Sequence, residues 1–222
     1  MAINYNPTAV TSGLICYLDG ANTKSYSGSG TTVYDLSGNG RNGTFGGTVG
    51  PTWNSGGWFN FTGGVVATNY SRISLSVPTL ANGVTVEIWF RSTYAYGTPF
   101  RMTSSDLGLT LFTPNASMYA GLNFNDYVLY FTNPVTDIWH CFSMTWDNQN
   151  LVVYKNGASL TSGTRATALT NIAAATLYLG TRNDAYNDHF FGDIAIFKLY
   201  ERVLTASEVS KNFSSARGRF NL

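Results

Sequence analysis

The stretch FGDIAIFKLYERVLTASEVSKNF, residues 191–213, decides how this chain folds. Its first half alternates between two kinds of side chain, as a β-strand does, because successive side chains point to opposite sides of a sheet. One predicted side carries Ile194, Ile196, Lys198 and Tyr200, and the other carries Ala195, Phe197 and Leu199. A short helix is predicted directly after this strand.

The start of the predicted helix is marked by Thr205 and Glu208. Their spacing is that of a capping box, in which each side chain binds a free backbone N–H of the first helical turn. Leu204 and Val209 have the spacing of a hydrophobic staple around this box. We therefore predict a capped helix in which Leu204, Val209 and Phe213 are buried.

The rest of the chain predicts strands separated by turns rich in Gly, Asn and Ser, at the spacing of a β-sandwich. The predicted strands are residues 13–19, 58–63, 72–77, 84–90, 107–112, 128–131, 139–146, 151–156 and 176–180. Two of them, 139–146 and 151–156, form a predicted hairpin through the turn at 147–150. The pattern indicates an all-β fold with one short helix near its end.

Four motifs and the strand-plus-helix ending resemble laminin-G-like domains of the concanavalin A-like lectin/glucanase superfamily. The motifs are DLSGNGRNGT at 35–44, WHCFSMTWD at 139–147 with LVVYKNG at 151–157, LYLG at 177–180 and GDIA at 192–195. The resemblance implies a jelly-roll sandwich of two antiparallel sheets with one short C-terminal helix. It also implies a single laminin-G-like domain over residues 1–222.

Charge is scarce in this chain. Of its 222 residues only 11% are charged, against about 25% in typical soluble domains. The 13 basic and 12 acidic residues form no dense basic patch, so nucleic-acid binding is not expected. Lys211, Arg217 and Arg219 make the end locally basic, which predicts a solvated tail; an anchor for an acidic neighbour is the alternative.

Neither a membrane span nor an export signal is expected. No apolar run approaches the roughly 18 residues of a spanning helix, and the start MAINYNP lacks the basic and apolar regions of a signal peptide. The abundant Gly, Ser, Thr, Asn and Tyr nevertheless suit an exposed, neutral surface. This combination predicts a protein released by cell lysis, as a virus particle component is.

Glycoside hydrolysis, which some members of the superfamily perform, needs paired carboxylates about 5–5.5 Å apart in retaining enzymes. On a strand this requires acids two residues apart, since such residues share a face. Glu87 is the nearest candidate, but Trp89 occupies the second position, and no acid-x-acid pair occurs in the chain. We predict no catalytic residues and no enzyme; a pair assembled from separate strands is the alternative.

A ligand site is predicted in the loop at 181–189. Sugar recognition combines aromatic rings, which stack on C–H groups, with amides and carboxylates, which bind hydroxyls. The loop supplies this mixture through Asn183, Asp184, Tyr186, Asn187, Asp188 and His189. Tyr94 and Tyr96 form a second candidate, and for both groups a protein contact is the alternative, because interfaces are also rich in Tyr.

No cofactor or metal site is predicted, although some laminin-G-like domains bind calcium. The same loop, or Asp19 with Asp35, offers oxygen ligands, but ordinary Asx turns explain these residues as well. Calcium therefore stays an alternative. Cys16 and Cys141 are expected to be buried free thiols, with a disulfide between them as the alternative.

The opening at 13–44 resembles phage-encoded laminin-G-like proteins, which implies a non-catalytic virion structural protein. The expected role is a capsid decoration or a tail or fibre component of a tailed bacteriophage, placed on the virion surface. Expected partners are other virion proteins, copies of the chain itself and cell-surface polysaccharide, with no nucleic acid and no membrane. The alternatives are a free extracellular carbohydrate-binding module and, less favoured, a divergent glycoside hydrolase.

Overall fold

The computed structural model describes residues 8–62, 70–81, 83–94, 97–103, 108–112, 117–122, 127–132, 136–166, 171–182 and 188–222. Its strands are β1 (Leu14–Asp19), β2 (Thr32–Val33), β3 (Gly43–Gly47), β4 (Thr52–Asn54), β5 (Trp58–Phe61), β6 (Ser71–Val77), β7 (Val84–Ser92), β8 (Gly97–Met102), β9 (Gly108–Phe112), β10 (Ser117–Leu122), β11 (Tyr127–Thr132), β12 (His140–Trp146), β13 (Asn150–Lys155), β14 (Ala158–Thr164), β15 (Ala175–Leu179) and β16 (Gly192–Tyr200). A helix α1 (Ala206–Ala216) and a 3₁₀ turn (Arg217–Phe220) follow.

The strands form two antiparallel sheets packed face to face. Sheet I has the order β14-β13-β12-β7-β16-β5-β4, and β1 pairs with β16 next to β5. Sheet II has the order β11-β10-β9-β8-β15-β6-β3-β2. The predicted all-β jelly-roll sandwich with one C-terminal helix is confirmed.

The core lies between the sheets and follows from the alternation of β7. Val86, Ile88 and Phe90 point inward and belong to one buried cluster with Leu177 and Leu179 of β15. Burying each such side chain contributes roughly 1.5–3 kcal/mol. The alternate residues of β7, among them Glu87 and Trp89, therefore face the outer side of sheet I.

A β-bulge in β16 changes the faces predicted for this strand. The register with β7 shifts between Ile194 and Ile196, and an extra residue in a strand reverses the side on which the following residues point. Ile194 consequently joins the core with Phe197 and Leu199, whereas Ile196 lies on the outer face with Ala195. The prediction that Ile194 and Ile196 share one face is wrong.

The predicted helix start is confirmed. Glu208 N donates to Thr205 Oγ1 at 3.3 Å, and Thr205 N donates to Glu208 Oε2 at 2.9 Å. Leu204 and Val209 are buried as expected. Phe213 is only partly buried, contrary to the prediction, because α1 is the outermost layer; one face of its ring stacks on Trp89 with centroids 5.6 Å apart.

The Glu208 cap should make the stability of the fold depend on pH. Hydrogen bonds from Arg202, and then from the Thr205 backbone, lower the pKa of Glu208 to about 2. A carboxyl group whose pKa is lowered in the folded protein stabilises the fold at pH values above its usual pKa of 4.5. This stabilisation is lost as the pH falls from 4.5 towards 2. Glu208→Gln should therefore destabilise at pH 7 by about 1 kcal/mol, a typical cap contribution.

Urea denaturation of wild type and Glu208→Gln at pH 7 and at pH 2 measures this dependence. The difference in free energy of unfolding should shrink towards pH 2. An equal difference at both pH values would show that the ionised carboxylate is not what caps the helix.

The two cysteines are free and buried, as expected. Burial raises the pKa of both thiols well above the usual value, so they stay protonated. Within the part of the chain that the structure describes, no helix has the length and apolar character needed to cross a membrane.

Candidate functional site

A row of polar side chains crosses the outer face of sheet I. Strand register places Glu87 of β7 opposite Lys198 of β16, and Lys198 opposite Tyr17 of β1. Lys198 Nζ donates to Glu87 Oε1 at 2.8 Å, and Trp89 Nε1 donates to the same oxygen at 3.0 Å. The side chains of Lys198 and Glu87 are 2% and 1% exposed, so they form a buried ion pair.

The C-terminal segment covers this ion pair. The rings of Phe220 and Phe213 stack on Trp89, which lies two residues beyond Glu87 on the same face. A catalytic acid or base must come within hydrogen-bonding distance of its substrate. The buried Glu87 carboxylate is therefore arranged as a structural charge.

Two other carboxylates on this face also form ion pairs, each with a different arginine. Asp193 accepts hydrogen bonds from Arg91 Nε at 2.9 Å and Arg91 Nη2 at 2.6 Å. Asp19 Oδ1 accepts from Arg219 Nη1 at 2.6 Å. Each of these carboxylates is thus paired with a cation in place.

A cavity of about 580 Å3 lies between sheet I and the C-terminal segment. We call it the C-terminal cavity; it is lined by Tyr17, Asp19, Ile196, Lys198, Ser214, Ser215, Ala216, Arg217, Gly218, Arg219 and Leu222. Its volume lies within the roughly 300–1,000 Å3 typical of small-molecule sites. Its lining is mostly polar, which favours a hydrophilic ligand.

The floor of the C-terminal cavity is a hydrogen-bonded group on β1. The Tyr17 hydroxyl donates to Asp19 Oδ2 at 3.1 Å. Burial, and after it the charge of Asp19, raises the pKa of Tyr17, so its phenol stays protonated. Asp19 therefore presents a carboxylate that Tyr17 and Arg219 hold in place.

The 3₁₀ turn positions Arg219 at this cavity. Phe220 is buried against Trp89 with ring centroids 4.5 Å apart, which holds the end of the chain on the sheet. Arg219 then reaches both Asp19 and the backbone oxygen of Gly57. Lys211, Arg217 and Arg219 are all exposed, as predicted for a solvated tail. Arg219 also forms an ion pair with Asp19, which is the alternative of an anchor on an acidic neighbour.

The predicted loop at 181–189 is described only in part. Asn183, Asp184, Tyr186 and Asn187 lie outside the described residues. His189 is 1% exposed, stacks on Tyr70 with centroids 4.3 Å apart, and has Nδ1 2.9 Å from Thr181 Oγ1. Burial lowers the pKa of His189, which keeps the ring neutral near pH 7.

Asp188 lies next to His189, and one of its oxygens is 3.4 Å from Arg182 Nη1. The described end of this loop is therefore held by its own contacts, and its binding role stays a prediction. Of the second candidate pair, Tyr94 is 51% exposed, and Tyr96 lies outside the described residues.

Asp35, one of the oxygen donors considered for calcium, organises a turn. Its carboxylate accepts from the backbone N–H groups of Tyr17, Ser37 and Arg41. Among the residues that the structure describes, no three His, Cys, Asp or Glu side chains cluster in a way that suits a metal ion.

Residues 62–210 match a laminin-G-type family model of the concanavalin A-like lectin/glucanase superfamily. The chain belongs to this superfamily. No curated protein matches its sequence.

Solved structures show the same concanavalin A-like fold. The binding domain of botulinum neurotoxin DC aligns with a TM-score of 0.69 and 13% identity, over 93% of this chain and 52% of that one. Trypanosoma rangeli sialidase aligns with a TM-score of 0.68 and 14% identity, over 96% of this chain and 34% of that one. The chain thus spans about half of the toxin domain and a third of the sialidase.

Sequence reasoning missed the C-terminal cavity of this concanavalin A-like domain. Tyr17, Lys198 and Arg219 come from three separate parts of the chain. Strand pairing brings Tyr17 next to Lys198, and the packing of Phe220 on Trp89 brings Arg219 to them. One signal was present: Lys198 is the one cation in the apolar run 194–200. A charge in such a run favours a buried counter-ion.

Proposed function

We propose that this domain is a non-catalytic recognition domain of a virion surface that contacts glycans. The observation that carries the proposal is that Glu87 is both paired and buried. This strand-borne carboxylate is paired with Lys198 and covered by the C-terminal segment, while the C-terminal cavity beside it stays open to a ligand. The face therefore supports binding rather than hydrolysis.

Glycan recognition fits the chemistry of the cavity and has precedent in the fold. Carboxylate, hydroxyl and guanidinium groups surround a space of small-molecule size. Among the similar structures, cell entry of botulinum neurotoxin type C depends on two ganglioside molecules. One structure holds a neurotoxin DC binding domain in complex with SialylT, and another holds the sialidase in complex with a difluoro-nononic acid. These facts concern proteins that share the fold alone, so they support the proposal only by analogy.

The virion setting rests on the composition and on the opening of the chain. With 11% charged residues, the domain would contact other virion proteins, or copies of itself, mainly through neutral hydrogen bonds and tyrosine rings. The opening at 13–44 resembles phage-encoded laminin-G-like proteins. A free carbohydrate-binding module would recognise glycans through the same chemistry, but it would not be part of a virion.

Two measurements test the proposal. We expect the purified domain to bind members of a panel of neutral and acidic oligosaccharides, titrated with and without calcium, and to leave them intact. We also expect mass spectrometry of purified particles to detect the chain. No saccharide binding at millimolar concentration would overturn recognition of glycans. Particles that lack the chain would overturn the virion setting and favour a free module.

A further inference from the structure

We propose that the C-terminal cavity binds an acidic sugar unit, a saccharide ring that carries a carboxylate. This inference rests on the proposed glycan recognition and names its site and ligand class. Both follow from the charges, the hydrogen-bonding groups and the free space at the cavity.

One cation in the cavity lining has no carboxylate partner among the described residues. Of its cations, Lys198 is paired with Glu87 and Arg219 with Asp19. Arg217 is exposed, and the described residues give it no carboxylate partner. A guanidinium binds a carboxylate through two parallel hydrogen bonds, so Arg217 favours an anionic ligand at this position.

The remaining polar groups suit sugar hydroxyls. Asp19 accepts from Tyr17, Arg219 and the backbone of Ala21, each through one hydrogen bond. A carboxylate has about four acceptor positions, so one remains for a hydroxyl donor. Ser215 donates its hydroxyl hydrogen to the Asn212 backbone oxygen at 2.7 Å, which leaves its lone pairs to accept as well.

Apolar groups line another part of the cavity. These residues are Ile196, Ala216 and Leu222. A sugar ring has both hydroxyl groups and an apolar C–H surface, and a cavity with both kinds of lining matches it. A simple inorganic anion would use Arg217 and leave the rest of the cavity unfilled.

Gly218 is a position in the cavity lining where a side chain can be added without a clash. A Cβ at this position would meet no atom within 4 Å. Its backbone is not in the left-handed region, so a larger residue is not strained there. Because Gly218 lines the cavity, leucine at this position should hinder the ligand.

Calorimetric titration tests the proposal with N-acetylneuraminic acid and glucuronic acid as probes. N-acetylglucosamine serves as the neutral control and acetate as the bare anion. We expect the acidic sugars to bind at least about ten-fold more tightly than either control. The neutral sugar lacks the charged hydrogen bonds to Arg217, and acetate lacks the ring and hydroxyl groups that fill the rest of the cavity. Arg217→Ala should weaken the binding of acidic sugars by about the same factor. Gly218→Leu should abolish their binding.

Lys211→Ala is the matched control, because Lys211 is an exposed cation on α1 that does not line the cavity. It should bind as the wild type does, and thermal unfolding should show that all three variants are folded. Wild-type affinity in both Arg217→Ala and Gly218→Leu would show that the cavity is not the binding site, while leaving the proposed glycan recognition intact. Acetate binding as tight as that of the sugars would overturn the ligand class. A wild type that binds no saccharide would overturn the proposed function itself.

Discussion

Replacing Lys198 with methionine should lower the free energy of unfolding by about 3–5 kcal/mol, because breaking a buried ion pair leaves an uncompensated charge. The charge left behind is that of Glu87, whose side chain is 1% exposed. Methionine keeps an unbranched stem of similar length, so most of the packing of the lysine chain is retained. Urea denaturation at pH 7 measures the change.

The double variant Glu87→Gln/Lys198→Met is the control for this effect. It removes both charges and keeps an acceptor for Trp89 Nε1, which donates to Glu87 at 3.0 Å. Replacing both members of a buried ion pair by uncharged residues is often nearly neutral, so most of the lost stability should return. A double variant as unstable as Lys198→Met would show that the two charges do not act as one pair.

Gly180→Ala should destabilise the fold by a comparable amount. Gly180 has a φ of +85°, and a Cβ there would lie 2.1 Å from Cδ1 of the buried Phe61 ring. The left-handed conformation costs a non-glycine residue about 1–2 kcal/mol, and overpacking a core costs about 1–3 kcal/mol more. A loss of roughly 2–5 kcal/mol in urea denaturation is expected from these two costs.

Gly218→Ala is the matched control for Gly180→Ala. The same methyl group is added at Gly218, where it meets open space and no positive φ is required. Its free energy of unfolding should stay close to the wild-type value. Similar losses at both glycines would mean that neither the backbone conformation nor the contact with Phe61 sets the cost.

Local signals were enough to predict the main strands of the sandwich. The hairpin of β12 and β13 was predicted from two apolar runs around a polar turn, and the two strands pair as expected. Asp147 accepts from the N–H groups of Gln149 and Asn150, which makes the turn a local structure. The alternation of β7 was equally readable, because Val84, Val86, Ile88 and Phe90 alternate with residues that include the polar Thr85, Glu87 and Arg91.

Strands without such a contrast were missed. The strand Ala158–Thr164 has the sequence ASLTSGT and lies at the edge of sheet I. None of its residues is buried, so apolar and polar residues do not alternate along it. Every residue of Gly97–Met102 is buried, including Pro99 and Arg101, so it shows no alternation either. The bulge after Ile194 was unreadable for a different reason, since it depends on the register with the neighbouring strand.

The candidate site was harder to predict than the fold. The ion pair of Glu87 and Lys198 joins residues 111 positions apart, and the contact of Asp19 with Arg219 joins residues 200 positions apart. Such pairs depend on which strands are neighbours, and no local pattern contains that information. The ion pair of Arg219 could not be read from the tail, because its sequence does not show that Phe220 anchors it on Trp89.

The central claim is that sheet I carries a binding site without hydrolytic chemistry. Its most direct test is the release of reducing sugar from a bound glycan, measured for the wild type and for Glu87→Gln/Lys198→Met. We expect the wild type to bind the glycan and neither protein to release reducing sugar. Release of reducing sugar by the wild type would contradict the claim.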